Sequence, residues 1–230
     1  MAFPELPARL AEIRETIARR QDRAGLDHPV RIIAVTKSQG PEAVRAAVAA
    51  GIQDVGENRV QEALAKQGQL TGIPASWHLI GTLQRNKARQ VVGRFALLHA
   101  VDRAELAEEL DRRVKAAGAR PQPVLVEVNC SGESAKQGVA PDRLEALLDR
   151  IRGLAGLEPR GLMTMAPFSG DERVQRNAFG KLRALRAEME RAGHPLPELS
   201  MGMSGDYPAA VEEGATMIRL GTLLFGERPQ

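Results

Sequence analysis

Apolar positions along the chain alternate between two spacings. The first stretch, Leu6 to Ala24, sets Leu6, Leu10, Ile13 and Ile17 at helical intervals and predicts an amphipathic helix. Beyond it, short β-branched and apolar runs predict strands over 30–36, 54–55, 76–80, 96–100, 123–128, 157–162, 198–200 and 216–219. Longer, charge-bearing patterns between them predict helices over 41–50, 59–67, 86–92, 103–117, 141–152, 172–192 and 207–213. Gly51, Gly118 and Gly193 follow helical patterns, where a left-handed C-cap favours glycine, and Pro41 and Pro141 stand at helix starts. Eight strand–helix repeats predict an α/β fold, a (β/α)8 TIM barrel with an extra N-terminal helix. An open doubly wound sheet is the alternative, but it usually has fewer strands. No linker or compositional break divides the chain, so residues 1–230 are expected to form one domain.

Composition narrows the class. The chain has 230 residues, with 32 Lys and Arg against 29 Asp and Glu, and it is large enough to bury a core without staples. With only five Phe, one Trp and one Tyr, the core falls to Ala, Val, Leu, Ile and Met. The single cysteine, Cys130, excludes an internal disulfide and points to a reducing, cytoplasmic setting. No apolar run approaches the ~20 residues of a membrane helix, and no secretory signal is visible at the start. An isoelectric point near 9.3 suggests nucleic acid, but the net charge of +3 is spread thinly and few aromatics are available to stack on bases. Neither nucleic acid nor membrane is an expected partner.

In a barrel, functional residues lie just after the strands, at the C-terminal face. That rule selects the segments 36–38, 56–58, 78–81, 129–138, 163–165, 200–206 and 221–222, all rich in small and polar residues. Lys37 closes the first strand. A strand-end lysine can simply reach solvent, but the chain has only six lysines, and arginine cannot replace lysine in a Schiff base. The last two strands are followed by Met201-Gly202-Met203-Ser204-Gly205-Asp206 and by Arg219-Leu220-Gly221-Thr222. Glycine backbone N–H groups, the Ser204 and Thr222 hydroxyls and a short helix at Thr222–Phe225 would suit a phosphate; ordinary turn glycines are the plainer reading. An amine facing a phosphate cradle points to pyridoxal 5′-phosphate, with its aldehyde at the lysine.

The segments AVTK (34–37), GENRVQE (56–62), WHLIGTLQRNK (77–87), HAVDR (99–103), VNCSGESAKQG (128–138), GLMTM (161–165), LSMGMSGDY (199–207) and RLGTLLFG (219–226) resemble the pyridoxal phosphate homeostasis proteins. These are single-barrel relatives of the N-terminal domain of alanine racemase, of fold type III. The resemblance spans nearly the whole chain. It departs at Thr82, where the family often has proline, and at Arg85, where it has a small polar residue. It implies that Lys37 carries the internal aldimine and that Asn58 lies near the cofactor. It further implies that Ser204, Gly221 and Thr222 hold the phosphate, that Met203 packs nearby and that Arg219 meets the pyridine nitrogen. Arginine keeps its proton, so the ring would stay neutral and be a weaker electron sink.

Other candidates remain open at this level. Lys136 is either a second amine or anion-binding cation, or a solvated loop lysine, with Glu133 as its expected pair. His78 either packs and hydrogen-bonds within the barrel or stands near the cofactor. Cys130 reads as a small buried filler rather than a redox group. No His pair has metal-ligand spacing, so no metal is expected. Asn86 is expected to cap the helix after the third strand. The methionines at 163, 165, 201, 203 and 217 read as core filler with some lining the pocket.

Two functions share this chemistry. One is a pyridoxal phosphate carrier acting in vitamin B6 homeostasis, without catalytic residues of its own and with cofactor-requiring apo-enzymes as acceptors. The other is a pyridoxal phosphate-dependent amino-acid racemase. Racemisation needs proton donors on both faces of the substrate, and the racemase relative takes its second base, a tyrosine, from a C-terminal domain. This chain ends at Gln230, and its one tyrosine, Tyr207, lies by the phosphate loop. The expectation is a monomeric carrier.

Overall fold

The structure, a computed structural model, describes residues 2–133 and 137–227. Eight strands run parallel and close into a barrel in sequence order: β1 (Arg31–Val35), β2 (Asp54–Glu57), β3 (Ser76–Leu79), β4 (Leu97–Val101), β5 (Gln122–Glu127), β6 (Leu157–Met163), β7 (Glu198–Met203) and β8 (Met217–Leu220). The β1–β8 pairing closes the ring, with Ile33 opposite Arg219. The predicted first helix is α1 (Leu6–Ala24). The helices between strands are α2 (Pro41–Ala49), α3 (Val60–Gln69), α4 (Ala88–Val91), α5 (Ala104–Ala116), α6 (Leu144–Arg152), α7 (Glu172–Arg191) and α8 (Tyr207–Glu212); α9 (Thr222–Phe225) follows β8.

The expected (β/α)8 barrel is therefore present, with three local corrections. β2 and β7 run further than the apolar pattern indicates, so Gly56, Glu57 and the segment 201–203 are strand and not loop. Glycine interrupts both patterns for a steric reason. A Cβ at Gly56 would come within 2.9 Å of Ile33, and one at Gly202, where φ is 93°, within 2.6 Å of Ala210. Asn86 does not cap a helix. It lies inside a 3-10 turn, Arg85–Lys87, whose cap position is Gln84.

Two cores result. Between strands and helices lies a large layer that includes Ala34, Val55, Leu98, Val126, Leu162 and the fully buried Phe179. Inside the barrel lies a smaller cluster of Ile33, Leu97, Ala100, Leu125, Met163 and Met217. Each fully buried large apolar side chain contributes about 1.5–3 kcal/mol. Leu6, Leu10, Ile13 and Ile17 bury the apolar face of α1, which packs on α8 and α9. Arg20 of α1 donates to the buried Glu212 carboxylate at 2.6 Å, and Phe3 meets Phe225 edge to face at 5.1 Å. The extra helix thus braces the elements that follow β7 and β8.

Candidate functional site

A cleft of about 580 Å³ opens at the C-terminal face of the barrel. Lys37, Asn58, Met203, Ser204, Arg219, Gly221 and Thr222, from four strand ends, all line it. Met165 lines it as well, while Met163, Met201 and Met217 are buried.

Lys37 leaves β1 through a turn in which Gln39 N donates to Thr36 O at 3.0 Å. Ser38 takes a left-handed backbone with φ of 62°, a conformation unfavourable for a non-glycine residue. A buried cluster outside the barrel pins this turn. Lys66 of α3 donates to Thr36 O at 2.6 Å and to Glu57 Oε1 at 2.5 Å, and Thr36 Oγ1 donates to the same carboxylate oxygen at 2.6 Å. Glu57 is therefore no rim residue; it serves the backbone on which Lys37 stands. Asn58 is seated against Gly81, where a Cβ would meet Asn58 O at 2.4 Å.

On the other side of β1, after β7, Met203 N donates to Asp206 Oδ1 at 2.5 Å, which closes the loop back on the strand end. Ser204 Oγ accepts from Gly221 N at 3.3 Å and Leu223 N at 3.4 Å. These long bonds gather two backbone N–H groups and a hydroxyl at one point, a donor set that fits a phosphate. Arg219 is 5% exposed and donates to Ser200 Oγ at 2.6 Å and Thr164 O at 3.0 Å. Burial lowers its pKa to about 10, against the pull of Asp206 and Glu127, so it remains a cation near neutral pH.

Several cleft-lining positions are not among the site residues named from the sequence. Glu127, at the end of β5, lines the cleft. Burial, reinforced by the charge of Asp102 and opposed by Arg219, raises its pKa to about 7. The signal was an acidic residue inside an apolar strand pattern. Arg59, Thr82 and Gln137 also line the cleft, and a hydrogen bond from Thr82 Oγ1 to Gln137 Oε1 joins two of its loops. The departure at Thr82 thus falls in the cleft wall. Lys136, and with it the Glu133 pairing, lies outside the described residues. His78 is buried in the lumen, bonded to Asp54 and His99. Cys130 is buried, and burial pushes its thiol pKa up, as suits a filler. Among the described residues no cluster of three or more His, Cys, Asp or Glu is arranged to hold a metal, and no helix is long and apolar enough to cross a membrane.

A closed parallel barrel with an amine after its first strand and an N–H-rich cradle after its last two defines a class. It is the family described as "Alanine racemase, N-terminal domain", whose profile matches residues 8–229. Within that class the chain belongs to the pyridoxal phosphate homeostasis proteins. It is 41% identical over 222 residues to the protein of that name from Aquifex aeolicus, covering 96% of this chain and 97% of the relative. The Pseudomonas aeruginosa protein is 42% identical over 220 residues, covering 95% and 94%. The structure of PipY from Synechococcus elongatus with PLP bound superposes with a TM-score of 0.81 at 44% identity, covering 91% of this chain and all of PipY (100%).

Proposed function

We propose that the protein binds pyridoxal 5′-phosphate in this cleft, holds its aldehyde through Lys37, and buffers or supplies the cofactor in the cytoplasm. It does so as a single monomeric barrel without robust catalysis of its own, with cofactor-requiring apo-enzymes as acceptors. The observation that carries this reading is convergence: an amine, a guanidinium and a phosphate-type donor set from separate strands line one cleft. When bound, the cofactor supplies an aldehyde that amines capture reversibly. Lys37 would hold that aldehyde, and the clamped Thr36 peptide fixes the backbone from which the lysine lines the cleft. Ser204, with the Gly221 and Leu223 N–H groups, holds the phosphate; Thr222 adds a hydroxyl and Met203 an apolar wall. Asn58 orients the ring from the β2 side. Arg219, cationic and doubly anchored, donates to the ring nitrogen and withholds a proton from it, which disfavours carbanion chemistry.

The names of the relatives support a homeostatic role, and the PLP-bound PipY structure supports the ligand. One observation favours the racemase alternative. Glu127 stands on β5, across the ring from β1, with a pKa of about 7 suited to moving protons. Tyr207 is buried and does not line the cleft. Two measurements decide. Wild-type protein mixed with pyridoxal phosphate is expected to develop a visible absorbance band that Lys37→Ala lacks, and equal uptake by both would refute the lysine assignment. Sustained L- to D-alanine turnover by pure wild type that Glu127→Gln abolishes would establish the enzyme instead.

A further inference from the structure

The barrel lumen carries a line of polar side chains that the proposed binding scheme uses only at its end. Apolar layers normally fill such an interior. Here Asp54 of β2, His78 of β3, His99 of β4, Ser200 of β7 and Arg219 of β8 run through it. Register pairs His78 with Leu97, Ser200 with Met217 and Arg219 with Ile33, all lumen residues, and laterally paired residues face the same side. Asp54 lies two residues before Gly56, the register partner of His78, and so shares that face. Consecutive members are in hydrogen-bond contact: Asp54 Oδ1 to His78 Nε2 at 2.8 Å, His78 Nδ1 to His99 Nε2 at 2.9 Å, His99 Nδ1 to Ser200 Oγ at 3.0 Å, and Ser200 Oγ to Arg219 Nη1 at 2.6 Å. The Asp54 side chain, 23% exposed, sits at the N-terminal mouth; Arg219 lies in the cleft at the other.

Donor counting fixes where the protons go. Arginine only donates, so Ser200 Oγ accepts from it. Burial works to raise the Asp54 pKa, but the hydrogen bond from His78, with Arg31 and Ser76, outweighs it and keeps Asp54 a carboxylate. His78 therefore turns Nε2–H toward Asp54. Burial, with the charges of Arg219 and Arg31, holds His99 neutral. With one proton on each ring, His99 Nε2–H donates to His78 Nδ1, and Ser200 O–H donates to His99 Nδ1. An extra proton on His78 would turn both His99 and Arg219 as donors onto Ser200, whose own hydroxyl proton would then have no acceptor within the line. A neutral, one-way arrangement satisfies every contact.

We propose that Asp54, His78, His99 and Ser200 are positioning residues, a directed chain of hydrogen bonds that fixes the Arg219 guanidinium in the cleft and ties it to a carboxylate at the opposite mouth of the barrel. Ser200 takes Nη1 and Thr164 O takes Nη2, which sets the guanidinium plane and leaves its other N–H groups for a ligand. The consequence for ligand binding rests on the cofactor reading above; the proton arrangement does not.

Two readouts test it on the full chain. In ¹⁵N-histidine spectra of the ligand-free protein near neutral pH, His78 and His99 are expected to be neutral with the proton on Nε2. An Nδ1 proton or an imidazolium on either ring overturns the chain. The second readout is affinity for pyridoxine 5′-phosphate, which has no aldehyde and cannot bond to Lys37. Ser200→Ala is expected to weaken it about five-fold or more, the worth of roughly one hydrogen bond. Asp54→Asn, far from the ligand, is expected to shift it about two-fold in the same direction. Unchanged affinity in both variants overturns the positioning role. If the wild type itself fails to bind the analogue, the cofactor reading falls, and the histidine spectra still decide the chain.

Discussion

The two faces of the barrel wall handle charge in different ways. On the outer face, strands meet helices through a mainly apolar layer, into which the buried group of Lys66, Glu57 and Thr36 is set. That group is compact and ends on a backbone carbonyl: its polar contacts hold the turn that carries Lys37. On the inner face, a polar line leads through the lumen and delivers a cation to the cleft. Buried charge is costly unless paired, so each arrangement marks a place where the fold spends stability on geometry. The outer group secures the amine, the inner line the guanidinium.

Substitutions should separate the two faces. The largest effect is expected from the outer group. Lys66→Ala leaves the Glu57 carboxylate buried beside Thr36, and such orphaned charges cost about 3–5 kcal/mol. Urea unfolding should show that loss, and the double variant Lys66→Leu with Glu57→Leu should recover much of it. No recovery would mean that the pair does more than neutralise itself.

An inner-face effect of about 3 kcal/mol is expected from Glu127, and it depends on pH. Its pKa is raised from an ordinary 4.5 to about 7, so the native carboxyl keeps its proton where the unfolded one has lost it. The stability it contributes is complete below pH 4.5 and lost as pH rises through 7. Glu127→Gln should flatten that decline, measured as unfolding free energy from pH 4 to 8. A slope equal to that of the wild type would move the titration to another group.

The smallest effect falls at the rim. Ser204→Ala should weaken pyridoxal phosphate uptake about five- to ten-fold while changing unfolding free energy by less than about 0.5 kcal/mol. Comparable losses in both would make Ser204 a folding residue.

The barrel was legible because its strands and helices carry distinct periods, and the cleft because functional positions follow strand ends. Lys37, Ser204 and Gly221 could be named that way. The pairings between distant strands could not. Lys66 sits in a charge-bearing helical pattern that reads as solvated, and nothing local tells that it turns inward to Glu57. Asp54, His78, His99 and Ser200 belong to four strands, and only barrel closure and register bring them into line. Glu127 looked like a strand residue because its pKa depends on burial and on Arg219, more than ninety positions away. The ends of β2 and β7 were obscured by Gly56 and Gly202, which weaken an apolar pattern where close packing demands their small size.

The proposed function turns on one amine, Lys37, as the group that captures the aldehyde in this cleft. Its most direct test is to mix the protein with pyridoxal phosphate at equal concentration, reduce with borohydride and map the labelled peptides. A label on Lys37 is expected, absent when excess pyridoxine 5′-phosphate occupies the cleft first. A label on the other lysines with Lys37 unmodified would contradict it.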